Sequence, residues 1–247
     1  MGKFGKFAGV AAIALGASVC AMPAQAAVNL ELGLGIDASS SMSSSQFNLQ
    51  RNAYYNVLAD PGLIPLDGTV AIGVYRFAST VTQIYPITVL NNLTDLNNLR
   101  AAILAMGQSG DGSLTNLGGV INEITDDLLG NSITSARQLI DISTDGDATT
   151  GPNLNGARTA AVAAGIDAIN CIGIGNGANC AAVQGSTASS FSMQADSFDD
   201  FEDALRAKIV REVHGAVPEP TTWALMIGGF ALVGLSMRRR KVKVSFA

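Results

Sequence analysis

The chain has 247 residues and a formal net charge of −5 at pH 7, from 15 Lys and Arg against 20 Asp and Glu. The acidity concentrates in the middle: residues 27–215 hold 8 basic and 19 acidic residues, a net of −11. Such a body excludes binding along nucleic-acid backbones, which demand the opposite sign, and suits a soluble exported protein or one that attracts divalent cations.

The first 26 residues read as an address label. Lys3 and Lys6 precede the apolar stretch FAGVAAIALGASVCAM, and the small residues Ala24 and Ala26 mark a cleavage position, so residues 1–26 form a secretory signal. Cys20 opens a lipoprotein alternative, but Val19 stands where that signal requires a small residue. About 190 residues follow, enough for one well-buried domain, taken as 27–215.

Within it, apolar runs of strand type alternate with helical patterns. VNLELGLGI (28–36) alternates as a strand does, and SSQFNLQRNAYYNVLAD (44–60) places Phe47, Leu49, Tyr54, Val57 and Leu58 near one helical face. TVAIGVYRFA (69–78) and VTQIYPITV (81–89) are close enough to pair antiparallel. TDLNNLRAAILAM (94–106) begins with a Thr94 cap, and TNLGGVINEITDDLLG (115–130) stops at a glycine. ARQLIDIST (136–144), DAINCIGIG (167–175) and the weaker SSFSMQA (189–195) supply the remaining strands. The last helix runs from Ser197 to Gly215. The acids Asp199, Asp200, Glu202 and Asp203 at its start, with Lys208, Arg211 and His214 towards its end, complement the helix dipole.

In residues 216–247, Trp223–Met237 is apolar throughout and is followed at once by Arg238, Arg239, Arg240 and Lys241. A core helix would show one polar face. This run shows none, and the basic cluster fits a short transmembrane helix halted with that end in the cytoplasm. Cys20 leaves with the signal, so Cys171 and Cys180 remain. A bridge between them would contribute about 2.5–3 kcal/mol if unstrained; two buried free thiols are the alternative.

Strands separated by helices predict an α/β fold. Its central sheet is doubly wound and mostly parallel, with one antiparallel edge strand and helices on both faces. Ligands of such sheets bind beyond the carboxyl ends of the strands. Three segments share that edge: Asp37-Ala38-Ser39-Ser40-Ser41 after the first strand, the loop leading to Thr115, and Thr144-Asp145-Gly146 after the central strand. Two bare carboxylates about 5 Å apart repel by roughly 3 kcal/mol at an effective dielectric of 20. Proximity of Asp37 and Asp145 therefore calls for a proton or a cation. Ser39, Ser41 and Thr115 add neutral oxygens, and a set without His or Cys points away from zinc towards Mg²⁺, with Mn²⁺ or Ca²⁺ as alternatives. The rival reading of the first segment is a serine-rich turn that caps the next helix.

The pattern Asp37-x-Ser39-x-Ser41, then Thr115, then Asp145 in STDG resembles the metal-ion-dependent adhesion site (MIDAS) of von Willebrand factor type A domains, and the likeness in element order extends from Val28 to Glu212. The resemblance implies direct metal contacts from Ser39, Ser41 and Thr115, with Asp37 and Asp145 acting through water and an acidic group of the partner completing the shell. Ser40 departs from the glycine often found there, yet is still small. The tail is similar to the PEP-CTERM sorting signal of exopolysaccharide-producing Gram-negative bacteria: Val217-Pro218-Glu219-Pro220, an apolar segment and a basic end. That likeness implies processing by a membrane exosortase and a final place at the cell surface or outside; a plain membrane anchor is the alternative.

These features predict an exported adhesion module with a protein or polysaccharide partner that carries carboxylates. A matrix protein with a structural metal is the second reading and a metal-dependent hydrolase the third. Enzymatic alternatives lack parts. An aspartyl-phosphate phosphatase wants an acid where Ser39 stands, His214 is the only histidine available to a Ser-His-Asp triad, and GIGNGANC has no lysine for phosphates.

Overall fold

The computed structural model describes residues 28–108 and 110–215, so the signal read at 1–26 and the sorting and membrane segment read at 216–247 lie outside the described residues. Element order is β1 (Leu30–Asp37), α1 (Ser44–Val57), β2 (Val70–Phe77), β3 (Val81–Val89), α2 (Leu93–Ala105), α3 (Leu117–Gly130), β4 (Gln138–Thr144), α4 (Leu154–Ala164), β5 (Ala168–Ile174), α5 (Cys180–Val183), β6 (Ser192–Ala195) and α6 (Phe201–His214). The six strands form one sheet in the order β3-β2-β1-β4-β5-β6. All neighbours run parallel except β2 and β3, which makes β3 the antiparallel edge. The fold class is the one the strand and helix alternation predicts. Among the described residues no helix is long and apolar enough to cross a membrane.

The sequence of β1 shows how the two layers arise. Leu30, Leu32, Leu34 and Ile36 point to one face, where they join a core with α1, α2 and α6. Glu31, Gly33, Gly35 and Asp37 alternate to the other. There α3 lies so close that a Cβ on Gly33 would stand 2.2 Å from Ile124 Cγ2, and one on Gly35 3.1 Å from Val120 Cγ2. Missing side chains on β1 thus let α3, and the loop before it, settle directly on the sheet. Ile140, Ile142, Ile169 and Cys171 complete this second core with α3 and α4. Cys171 and Cys180 are joined, with their Cα atoms 5.4 Å apart, which ties α5 to β5.

Several local expectations are corrected. The cap of α2 is Asn92, whose side chain accepts from Thr94 and Asp95 N–H groups, so Thr94 is already inside the helix. Helix α6 starts at Phe201 and not at Ser197, with no side-chain cap bond from Asp200. Leu49 is 44% exposed and does not belong to the buried face of α1; the capping box of Ser43 and Gln46 sets that helix instead. Helix α4 goes beyond the patterns read from the sequence. Its buried residues are alanines, Ala157 and Ala161, which give little periodic signal.

The largest correction concerns Lys208. It is fully buried and paired with Asp141 of β4 and with Glu212 one turn on, at 2.7 Å, rather than serving the helix end in solvent. Asn170 of β5 donates to the same Glu212 oxygen at 2.8 Å. One ammonium therefore faces two carboxyls inside the sheet–helix layer. Burial, and then the Asp141 charge, push the Glu212 carboxyl up to about 8, so it holds the spare proton at neutral pH. Replacing Lys208 with Met strands the acids and should cost about 3–5 kcal/mol in urea unfolding. Because the folded Glu212 titrates above its ordinary value of 4.5, wild type should lose stability relative to Glu212→Gln as pH rises from about 4.5 to about 8. A constant gap across that window would contradict the assignment.

Candidate metal centre

Strands β1 and β4 are adjacent and parallel, so Asp37 and the Thr144–Asp145 segment leave the sheet side by side at its carboxyl edge. Asp37 is wholly buried. One carboxylate oxygen accepts from the Ser39 N–H at 2.8 Å, and the other accepts from the Thr144 hydroxyl at 2.6 Å. The turn that follows runs outward: Ser39 is buried, while Ser40 and Ser41 are exposed. The Ser41 hydroxyl donates to Asp145 at 2.6 Å, and the Ser39 and Ser41 hydroxyls are 2.8 Å apart. Since Ser41 spends its proton on Asp145, Ser39 is the donor in that pair. Asp37, Ser39, Ser41 and Asp145 thus form a line of oxygens from the core to the surface.

Thr115 reaches the same edge by another route. It is buried, with its N–H donating to the Thr149 hydroxyl at 2.8 Å and its carbonyl accepting from Thr149 N at 2.9 Å. Its loop is pinned to the Ser39–Ser41 turn where Ser40 N and Oγ donate to the Ser113 carbonyl at 3.1 and 3.0 Å. Among the described residues no hydrogen bond engages the Thr115 hydroxyl. The structure therefore brings four of the five predicted residues into one bonded line and places the fifth on a loop bound to it.

Residues that the sequence reading passed over hold this edge in shape. Gln50 of α1 donates to the Asp37 carbonyl at 2.8 Å, and Gln108 donates to the Met42 and Ser39 carbonyls at 2.8 and 3.3 Å. Asp111 accepts from Thr82 at 2.7 Å and pairs with Arg76, clamping the Thr115 loop onto β2 and β3. Gly112 sits at φ 92°, and a Cβ there would meet Ser79 Oγ at 2.4 Å. That serine accepts from Ser113 and Leu114 N–H groups at 3.1 and 3.0 Å. Thr144 had a signal, since it adjoins Asp145; Gln50 and Gln108 had none without the fold. Asp147, in the loop after β4, accepts from Asn179 N at 3.1 Å.

Burial raises the Asp37 carboxyl to about 6, against the lowering effect of Thr144 and Ser39, and the Asp145 charge adds to the rise. An all-oxygen set of two carboxylates and nearby hydroxyls is one that a hard dication accepts while keeping external ligands. No group of three His, Cys, Asp or Glu side chains converges among the described residues, so hydroxyls and ligands from outside would have to complete any shell. Two clefts flank the line, one of about 500 Å³ over Met42 and Phe47, the other of about 520 Å³ beside Asp145, Asp196 and Asp199.

The profile of a family described as "Protein of unknown function (DUF1194)" matches residues 27–217, and that of the PEP-CTERM protein-sorting motif matches residues 216–241. No curated protein matches the chain. Among solved structures, proximal thread matrix protein 1 from the mussel byssus, "with zinc occupied MIDAS motif", is similar at a TM-score of 0.61 and 17% identity, over 76% of this chain and 48% of that one. An aerotolerance-related membrane protein from Bacteroides fragilis gives 0.57 and 16%, over 73% and 98%. The pilus adhesin SpaC from Lactobacillus rhamnosus GG gives 0.56 and 12%, over 76% and 31%. The chain spans about half the length of the mussel protein and nearly all of the Bacteroides chain. At these identities the likeness is one of fold, of the von Willebrand factor type A kind.

Asp37→Asn removes a charge that the fold buries with only two hydrogen bonds. In chelator, wild type should lose stability relative to this variant as pH rises from about 4 through about 6, because the folded carboxyl titrates above its ordinary 3.8. Parallel melting curves across that range would contradict the assignment.

Proposed function

The chain belongs to the DUF1194 family and carries a PEP-CTERM sorting motif, and from these two facts and its fold we propose that it is an exported, cation-dependent binding module of the cell surface or extracellular matrix. The observation that carries this reading is the line of oxygens from buried Asp37 through Ser39 and Ser41 to Asp145, at the sheet edge where the Thr115 loop also ends. Ser39, Ser41 and Thr115 would hold the ion by their hydroxyls, and Asp37 and Asp145 would balance its charge from behind. A bound Mg²⁺ supplies an electrophilic centre for an acidic group of the partner. Mn²⁺ and Ca²⁺ suit the same oxygens, and the zinc-occupied motif of the mussel protein brings Zn²⁺ into any titration.

The chain's own residues do the rest. Thr144 and the Ser39 N–H fix the Asp37 carboxylate, Gln108 and Gln50 fix the turn above it, and the two flanking clefts receive what surrounds the partner's acid. Helix α6 ends at the opposite edge of the sheet, where Arg137, just before β4, donates to the Glu212 carbonyl at 3.1 Å. The sorting motif begins within three residues of that end, so a chain held at a membrane by its tail would present the metal edge away from the lipid. A binding role is favoured over catalysis because His214, the single histidine of the chain, closes α6 at this far edge.

A second reading, a matrix protein with a structural metal, draws on the buried charge of Asp37, which an ion would relieve. Chelation separates the two: a binding module loses its partner and stays folded, while a scaffold loses its fold. Calorimetric titration with Mg²⁺, Mn²⁺ and Zn²⁺ should show binding by wild type and at least tenfold weaker binding by Asp37→Ala and Asp145→Ala. Equal affinities in all three proteins would overturn the site.

A further inference from the structure

A third cavity, of about 300 Å³, lies at the sheet edge opposite the candidate metal centre, and its lining includes Arg137, Phe191, Asn170, Arg211, Glu212 and Gly215. We propose that this pocket is a carboxylate-binding site and that Glu219, in the chain's own sorting motif, is the group that fills it. The inference is independent of the metal centre.

Residues 27–215 contain eight Lys and Arg. Seven of them donate to or pair with oxygens: Arg51, Arg76, Arg100, Arg137, Arg158, Arg206 and Lys208. Arg211 alone has no oxygen partner among the described residues. Its guanidinium instead stacks over the Phe191 ring, 3.8 Å from the centroid. An aromatic face takes none of a guanidinium's N–H donors, so those of Arg211 remain free for a bidentate carboxylate. Arg137 adds a second positive charge to the same cavity.

Two acids also line it, and together they cancel only one of its two positive charges. Asp167 is exposed and commits one oxygen to the Gln138 N–H at 2.8 Å, which balances one of the two guanidinium groups. Glu212 is buried, binds Lys208 and Asn170, and is protonated at neutral pH for the reason already given. One positive charge is left over, in a domain whose net charge is −11.

The occupant follows from where the described chain ends. Gly215 lines the pocket, and Glu219 is the single acid in the 32 residues beyond it. Four residues of extended chain reach at most about 14 Å, so Glu219 can turn back into the cavity but cannot stray far from it. Pro218 and Pro220 disfavour helical backbone at Val217 and Glu219, which lowers the entropy lost on docking. The pocket exists only when α6 is packed against the sheet. The folded domain therefore grips its own sorting motif, and a processing enzyme must displace Glu219 to read it.

The test uses the full chain, purified in detergent from a host without sorting machinery. A proline-specific endoprotease is added, and mass spectrometry follows cleavage after Pro218 and Pro220. Peptides spanning residues 214–224, which have no pocket, calibrate the protease for each substitution. After that correction, Glu219→Gln and Arg211→Glu should each be cut at least five times faster than wild type. The swapped pair, Arg211→Glu with Glu219→Arg, should return towards the wild-type rate. Glu219→Gln lies outside the folded domain, so its result does not depend on how well Arg211→Glu folds. An unchanged rate for Glu219→Gln would overturn the proposal, including the case in which Arg211→Glu alone is cut faster.

Discussion

At the end of β1 the chain buries a carboxylate that only one amide and one hydroxyl stabilise. Taking such a charge out of water costs several kcal/mol unless it is paired, and the Asp145 charge that acts on it has the same sign. Much of the surrounding architecture can be read as the means of holding this unfavourable group in place. Thr144 arrives from the adjacent strand, Gln50 ties α1 to the same residue's carbonyl, and the glycine face of β1 lets α3 and its preceding loop close over the edge. A fold that spends stability on a buried acid at a solvent-facing rim has the form expected of a site whose missing charge comes from outside.

The opposite face of the sheet deals with charge in a different way. Asp141, Lys208 and Glu212 form a buried group in which one ammonium faces two acids, the proton on Glu212 completes the charge balance and Asn170 donates to the Glu212 oxygen that Lys208 also meets. This group lies between the sheet and α6, whereas the Asp37 line opens to solvent at Ser41. Two acidic clusters in one sheet are thus placed differently, one enclosed between sheet and helix and one at an edge open to solvent. The polarity of the molecule follows: the candidate ion edge at one end, the exit to the sorting segment at the other.

How much of this was legible depended on whether the signal was local. The alternation in LELGLGID and the strand–helix order carried the sheet, its parallel character and its antiparallel edge, because each rests on short-range periodicity. Asp37, Ser39, Ser41 and Asp145 were found because strand ends in such a sheet share an edge, and they do meet there. The Lys208 group was not legible. A lysine four residues before a glutamate near a helix end looks like a surface pair, and only the packing of α6 over β4 shows that Asp141 lies beneath it. Gln50, Gln108 and Asp111 were missed for the same reason: their partners are 13 to 69 residues away and carry no mark in their own segments. Alanine-rich α4 was missed because small residues pack without leaving a periodic trace.

The account depends most on the charge state of one side chain. Nuclear magnetic resonance titration of the Asp37 carboxyl, first in chelator and then with saturating Mg²⁺, examines it directly. The account predicts a midpoint near 6 in chelator that falls below the ordinary 3.8 when the ion is present. A midpoint that does not move with Mg²⁺ would contradict it.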